Sequence, residues 1–187
     1  MAFDYLATDT EGWRKGSIYK VQDKKHVSPG LLGISIALPT LHSMYFPLNH
    51  QFEDVNISKE VLELLIEVLV KVKYRIFHNA AHDLYSLLDY VDLRELPFLD
   101  TMIVGHMVDE NLYSKKLDDM HKYYCGGSGK DRDPMMQSII DTMGWYMVPF
   151  GWINRYASTD AQITMELAQT LIPKYTEQFG PLWTPNS

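Results

Sequence analysis

Three short fragments carry the side chains that could do chemistry in this chain of 187 residues. They are Asp9-Thr10-Glu11, His78-Asn79-Ala80-Ala81-His82-Asp83 and Tyr156-Ala157-Ser158-Thr159-Asp160. Together they supply four carboxylates and one tyrosine. Carboxylate oxygens suit hard divalent cations such as Mg²⁺, and cations held in this way commonly serve phosphate chemistry. If the fragments converge, we expect a metal site for phosphate chemistry.

The spacing within each fragment favours convergence. On a strand, residues two apart share a face, so Asp9 and Glu11 should point the same way. On a helix, residues four apart share a face, which stacks Asn79 with Asp83 and pairs the first and last residues of the third fragment. Taken singly, such pairs are also typical of a strand-end turn or a solvated helix face. Three of them in one chain favour a common site.

The order Asp-x-Glu, His-Asn-x-x-x-Asp and Tyr-x-x-x-Asp resembles the DEDD superfamily of 3′–5′ exonucleases, in its tyrosine-bearing branch. Tyr156–Ala161 with Thr164 is similar to the third motif of the proofreading domains of family A DNA polymerases. Asp100–Leu112 and Leu117–Gly127 are similar to segments of phage-type members. The resemblance covers nearly the whole chain. It implies an α/β, ribonuclease H-like fold, a mixed sheet flanked by helices, and removal of nucleotides from the 3′ end of single-stranded or frayed DNA.

The resemblance also implies two divalent metal ions, Mg²⁺ or Mn²⁺, and gives five residues their roles. Asp9 would bridge both metals. Glu11 and Asp160 would complete the site of the metal that activates water, and Asp83 would hold the second metal. Tyr156 would orient the attacking water, because an ordinary tyrosine pKa near 10 makes a poor general base at neutral pH.

Three further residues are candidates for substrate binding. The resemblance implies that Asn79 touches the terminal nucleotide. His82 stands where related proofreading domains commonly have Tyr or Phe, and it could stack on a base or contact a phosphate. Trp13, two residues past Glu11, could wedge against the terminal base or simply pack in the core.

Several alternatives remain open on the sequence. An exoribonuclease of the RNase D type would carry the same motifs. The His82-Asp83 doublet, with His50 and Asp160, would also suit an HD-type metal phosphohydrolase, but that fold is all-helical and the first 48 residues read as strands. A binding module that has lost catalysis would not need all four carboxylates. The segment Gly126–Lys130 lacks the first glycine and the preceding strand of a phosphate-binding loop.

Composition bounds the class of protein. The length predicts a single domain over residues 1–187, and the net charge of −7 argues against non-specific clamping of long duplex DNA. The most apolar segment, Val61–Val72, is interrupted by charges, so no membrane span is expected. No signal peptide is evident, and one cysteine, Cys125, suits a reducing compartment, so we expect a cytoplasmic protein. The expected partners are a single-stranded DNA 3′ end and a DNA polymerase domain or replication protein.

Hydrophobic periodicity predicts the elements that position these residues. The predicted strands are residues 3–9, Ser17–Val21, Leu31–Leu38, Met44–Pro47 and Arg75–Phe77. The predicted helices are one capped by Ser58 and running to Val72, then Ala80–Tyr90, Asp100–Val108, Leu117–Tyr124, Met135–Met147 and Arg155–Tyr175. We expect Val27–Gly30 to be a turn, Gly126–Pro134 to be a loop, and Pro173 to bend or end the last helix.

Overall fold

The computed structural model describes residues 4–12, 18–21, 24–27, 30–127 and 134–182. The strands are β1 (Tyr5–Gly12), β2 (Ile18–Val21), β3 (Lys24–Val27), β4 (Leu31–Ala37), β5 (Ser43–Pro47), β6 (Tyr74–Phe77) and β7 (Phe98–Asp100). The helices are α1 (Lys59–Lys71), α2 (Ala80–Ser86), α3 (Thr101–Val108), α4 (Leu117–Cys125), α5 (Pro134–Met143) and α6 (Phe150–Phe179), with a 3₁₀ turn at Trp145–Met147.

Five strands form a mixed sheet in the order β5-β4-β1-β6-β7, and β2 pairs with β3 in a separate hairpin. β1 is antiparallel to β4 and parallel to β6, and β6 is parallel to β7. The strand that carries the first fragment is therefore the central strand of the sheet. This is the mixed sheet flanked by helices that the sequence predicts, and it has the ribonuclease H-like fold.

Alternation along the strands assigns the helices to two faces. Ala7 and Ile76 point to the face covered by α3, α4 and α6. Leu6 and Phe77 point to the opposite face, where α1 and α2 pack. α6 lies across β1 and β4, which brings its residues over the strand that ends in Asp9 and Glu11.

Two sets of hydrogen bonds stabilise the ends of α1. The Ser58 hydroxyl accepts a hydrogen bond from the Val61 N–H at 3.4 Å and caps α1, as the sequence predicts. The fully buried guanidinium of Arg75 donates to the carbonyls of Leu69 and Val70, at the end of α1. A cation at that end suits the helix dipole and satisfies carbonyls that lack partners within the helix.

Several element predictions need correction. Most of the loop predicted over Gly126–Pro134 lies outside the described residues, and Pro134 itself begins α5. β7 and β3 were not predicted, so Val27 belongs to a strand. The helix predicted over Ala80–Tyr90 ends at Ser86, and turns follow it. The helix predicted over Met135–Met147 stops at Met143, because Gly144 adopts a φ of 90° and the chain continues as a 3₁₀ turn.

The last helix is longer than predicted at both ends. It begins at Phe150 and passes through Pro173 to Phe179. Buried residues up to Leu171 hold it against the sheet, and this packing outweighs the backbone bond that a proline removes. None of the described helices contains a stretch both long enough and apolar enough to cross a membrane.

Candidate functional site

Three of the predicted carboxylates converge above the central strand. Asp9 and Glu11 come from β1 and Asp160 from α6, and one oxygen of each lies within 4.8 Å of the others. Glu11 and Asp160 are 7% and 8% exposed. Close, buried like charges repel one another strongly unless a counter-charge is present. The arrangement therefore fits a bound cation.

The end of β1 is shaped by a glycine. The pairing of β1 with β4 shifts register between Glu11 and Gly12, and Gly12 has a φ of 123°. A Cβ added there would lie 2.7 Å from the Leu32 backbone nitrogen. Only glycine fits this conformation and close contact, directly after the second carboxylate.

Tyr156 lies one helical turn before Asp160 on α6, and its ring packs against Trp145 with 5.7 Å between ring centroids. A pocket of about 260 Å³ opens over the carboxylates. It is lined by Asp9, Thr10, Glu11, Gly12, His82, Trp145, Tyr156 and Asp160. The first and third fragments and one residue of the second thus share one cavity.

Asp83 lies beside this cluster but makes different contacts. Its Oδ1 accepts hydrogen bonds from the Thr10 backbone N–H at 2.8 Å and from the Thr10 hydroxyl at 2.7 Å. Burial raises the pKa of this carboxyl to about 7, although both bonds from Thr10 act in the opposite direction. The structure does not place Asp83 within the group of three close carboxylates.

Asn79 corrects one sequence prediction. It precedes α2 in a left-handed conformation, with φ of 62°, so it does not stack one turn before Asp83. Its N–H and that of Ala80 donate to the two carboxylate oxygens of Asp100, at 3.0 and 2.9 Å. Asn tolerates this conformation better than most residues. The exposed Asn79 side chain is at the start of the helix that carries His82 and Asp83.

The charges of the carboxylate cluster act on Tyr45, a buried residue of β5. Tyr45 is 4% exposed and its hydroxyl lies 2.9 Å from His50 Nε2. Burial raises the pKa of Tyr45 well above its usual value, and the charges of Glu11 and Asp9 raise it further. The site is therefore strongly anionic, as a site for divalent cations should be.

Sequence reasoning missed two residues of this region and left one untested. Trp145 was not among the predicted site residues, but it lines the pocket. Asp100 was read as the start of a helix, although it caps α3 through the Met102 N–H and also holds α2. A carboxylate directly before a predicted helix is a capping signal that could have been used. Trp13 lies outside the described residues.

A family model described as 3′–5′ exonuclease matches residues 2–175. The chain therefore belongs to the 3′–5′ exonuclease family. Members of this family work with two divalent metal ions, and the three carboxylates fit such a site.

Comparison with solved structures gives the same fold. The Brucella melitensis NrnC structure with bound Mg²⁺ aligns with a TM-score of 0.64 and 16% identity, over 96% of this chain and 77% of that one. Escherichia coli RNase D, described as an exoribonuclease involved in structured RNA processing, gives 0.61 and 17%, over 94% and 40%. The catalytic core of RRP6 from Trypanosoma brucei gives 0.63 and 15%, over 95% and 42%.

Proposed function

We propose that this protein removes nucleoside 5′-monophosphates from the 3′ end of single-stranded or frayed DNA, by two-metal-ion hydrolysis, in proofreading or DNA processing. The observation that carries the proposal is the convergence of three carboxylates within 4.8 Å at the floor of a pocket that also holds a tyrosine. The natural partner is a single-stranded 3′ end, and we propose that a DNA polymerase domain or replication protein supplies it. The single cysteine suits work in the reducing cytoplasm.

Asp9, Glu11 and Asp160 would hold the cations, and Asp83 would contribute from α2. Bound divalent cations supply an acidified water as nucleophile and offset the negative charge of the phosphate. Tyr156 would donate or accept one hydrogen bond to the attacking water and so fix its direction. The bond between phosphorus and the 3′ oxygen breaks, which leaves a new 3′ hydroxyl on the shortened strand.

The size of the pocket supports action at an end. Its volume of about 260 Å³ is below the ~300–1,000 Å³ usual for pockets that take drug-sized ligands. One nucleotide is therefore the unit that we expect it to hold, in contact with His82 and Trp145 of the lining. A pocket of this kind favours a free 3′ end over an internal position of a continuous strand.

A second candidate is a 3′–5′ exoribonuclease of the RNase D type. The observation that favours it is the set of structural neighbours, which includes RNase D and RRP6. The resemblance of the third motif to polymerase proofreading domains favours DNA. A protein that accepts RNA must tolerate the 2′ hydroxyl at the terminal ribose.

The test is digestion of matched 5′-labelled DNA and RNA strands of one sequence, with Mg²⁺ or Mn²⁺. We expect stepwise shortening of the DNA from the 3′ end and release of 5′-monophosphates. Faster shortening of the RNA would establish the second candidate. Cleavage of circular single-stranded DNA would contradict the requirement for an end in either case. Asp9→Ala protein prepared in parallel controls for contaminating nucleases.

A further inference from the structure

His78, which was not among the predicted site residues, forms hydrogen bonds that connect the end of β6 to the loop before α4. His78 follows β6, and its Nδ1 lies 2.9 Å from the Thr101 hydroxyl. Its Nε2 lies 2.9 Å from the backbone carbonyl of Lys115, and because that carbonyl can only accept, Nε2–H is the donor. The loop before α4 is therefore fixed to the end of β6.

This attachment places the loop on the face that carries the carboxylates. Ala7 and Ile76 are the last pair between the parallel strands β1 and β6, and Asp9 and His78 each follow that pair by two residues, at the same end of the sheet. Neighbouring strands are about 4.8 Å apart. Thr101 begins a helix that packs on the same face as α6. The loop thus borders the carboxylate cluster on the β6 side, whereas Trp145 and Tyr156 border it on the β4 side.

The loop presents an aromatic ring and two cations, and we call residues 113–116 the loop surface. Tyr113 is 74% exposed, and Lys115 and Lys116 are both exposed. Its backbone is held in place, because the Ser114 hydroxyl donates to Asp119 at 2.6 Å and the Lys116 carbonyl accepts from the Met120 N–H of α4 at 2.9 Å. Within the described part of the chain neither lysine forms an ion pair.

The chemistry of this surface fits single-stranded nucleic acid. Proteins that bind single strands combine cations along the phosphates with aromatic rings on which bases stack. A protein with a net charge of −7 repels a polyanion at long range, so free cations beside the site have a large local effect. The terminal nucleotide occupies the pocket, so the strand that continues from it must leave past one of the walls.

We propose that the loop surface binds the nucleotides that precede the terminal one, with Lys115 and Lys116 on their phosphates and Tyr113 under a base. This inference rests on the proposed function, because it takes the pocket as the place of the terminal nucleotide. The inference predicts a preference for longer substrates, because a long strand makes contacts with the loop surface that a dinucleotide cannot make.

The decisive variants are Lys115→Gln/Lys116→Gln and Tyr113→Leu. The matched control is Lys59→Gln/Lys71→Gln, which removes the same charge from α1 on the opposite face of the sheet. The substrates are a DNA dinucleotide without a 5′ phosphate and a single-stranded DNA of ten nucleotides whose 3′ end is the same dinucleotide. In the double-lysine variant we expect kcat/KM to fall about 10-fold for the longer strand and to stay unchanged for the dinucleotide.

Binding separates this inference from the proposed function. Fluorescence anisotropy of the ten-nucleotide strand, measured in EDTA so that it stays intact, should show weaker binding by both variants and not by the control. The slope of log K against log salt should decrease by about 1.4 in the double-lysine variant, at roughly 0.7 per phosphate contact.

Equal losses in the control, or equal losses on both substrates, would overturn the inference. If the wild type cleaves neither strand, the proposed function fails, and the anisotropy result still decides whether the loop surface binds nucleic acid.

Discussion

Thr10 donates its backbone N–H and its hydroxyl to the same carboxylate oxygen of Asp83, at 2.8 and 2.7 Å. Thr10 points away from its neighbours Asp9 and Glu11, because side chains alternate along β1. One strand therefore supplies two carboxylates to one face and orients a third from the other. The position of Asp83 is therefore fixed by hydrogen bonds from the strand itself.

Thr10→Val tests whether the hydroxyl that binds Asp83 contributes to catalysis without weakening the strand. Valine keeps the β-branched shape but lacks the hydroxyl, and a hydrogen bond to a charged group contributes about 1.5–3 kcal/mol. We expect the single-turnover rate of hydrolysis to fall roughly 10- to 100-fold. Thr10→Ser, which restores the hydroxyl, should recover most of the rate. Full activity in the valine variant would show that Asp83 needs no such support.

Asp9→Ala should abolish turnover without unfolding the protein. It removes one of three carboxylates that lie within 4.8 Å of one another, so repulsion in the metal-free state decreases. We expect the melting temperature in EDTA to be equal to or above that of the wild type. The increase that Mg²⁺ gives the wild type should be lost.

Asp89→Ala, at an exposed carboxylate, is the control for Asp9→Ala and should behave as the wild type. Nuclease activity in pure Asp9→Ala protein would rule out the assignment of Asp9.

Tyr156→Phe should slow the chemical step and leave binding nearly unchanged. The ring still packs against Trp145, and only the hydroxyl that we propose orients the water is removed. A positioned catalytic group contributes ~10²–10⁴-fold in rate. The measurement compares the single-turnover rate with the affinity for DNA in EDTA. A variant that retains the wild-type rate, or that only binds more weakly, would make Tyr156 a packing or contact residue.

Trp145→Leu tests whether the aromatic ring that lines the pocket stacks on the terminal base. Stacking of a base on an aromatic ring contributes about 1–3 kcal/mol, so removal of the ring should lower kcat/KM roughly 5- to 100-fold on ordinary ends. Trp145→Phe should retain part of the activity. On a strand whose last nucleotide is abasic, the leucine variant and the wild type should differ little. An equal loss on both ends would mean that Trp145 only supports the fold.

His78 predicts a dependence of stability on pH. Burial lowers its pKa below the ordinary 6.5, although the Lys115 carbonyl and nearby carboxylates act in the opposite direction. The unfolded chain takes up a proton below pH 6.5 and the native protein does not. The free energy of unfolding should therefore fall as the pH drops from 6.5 to the lower native pKa.

Denaturant unfolding of the wild type and His78→Gln between pH 5 and 8 measures this effect. The glutamine variant should show a smaller decrease below pH 6.5, and His42→Gln, at an exposed position, should retain the wild-type decrease. Parallel curves for the wild type and His78→Gln would contradict the prediction.

The sequence was informative where a local rule and the packing agreed. Alternation along β1 predicted the shared face of Asp9 and Glu11, and a turn of helix predicted the pairing of Tyr156 with Asp160. Both are short-range relationships that backbone geometry determines. The overall α/β architecture also followed, because the strands and helices have different hydrophobic periods.

The sequence failed where a contact across the chain decides the conformation. Asn79 leaves the helix because Asp100, 21 residues later, binds the N–H groups at its start. The role of Trp145 depends on Gly144, whose positive φ ends one helix and turns the ring towards Tyr156. Neither relationship has a periodic signal, so neither can be read from spacing alone.

The central position of β1 divides the protein into parts that tolerate change differently. The strand pairs with β4 at Asp9 and Glu11 and with β6 over Tyr5–Ala7, so the backbone that leads to both carboxylates is held by its neighbours. His82, Trp145 and the loop surface stand on a short helix, a 3₁₀ turn and a connecting segment. Substitutions at these surrounding residues could adapt the site to other nucleic-acid ends, while Asp9 and Glu11 stay unchanged. A fold of this kind can change its substrate specificity and keep the same hydrolytic chemistry.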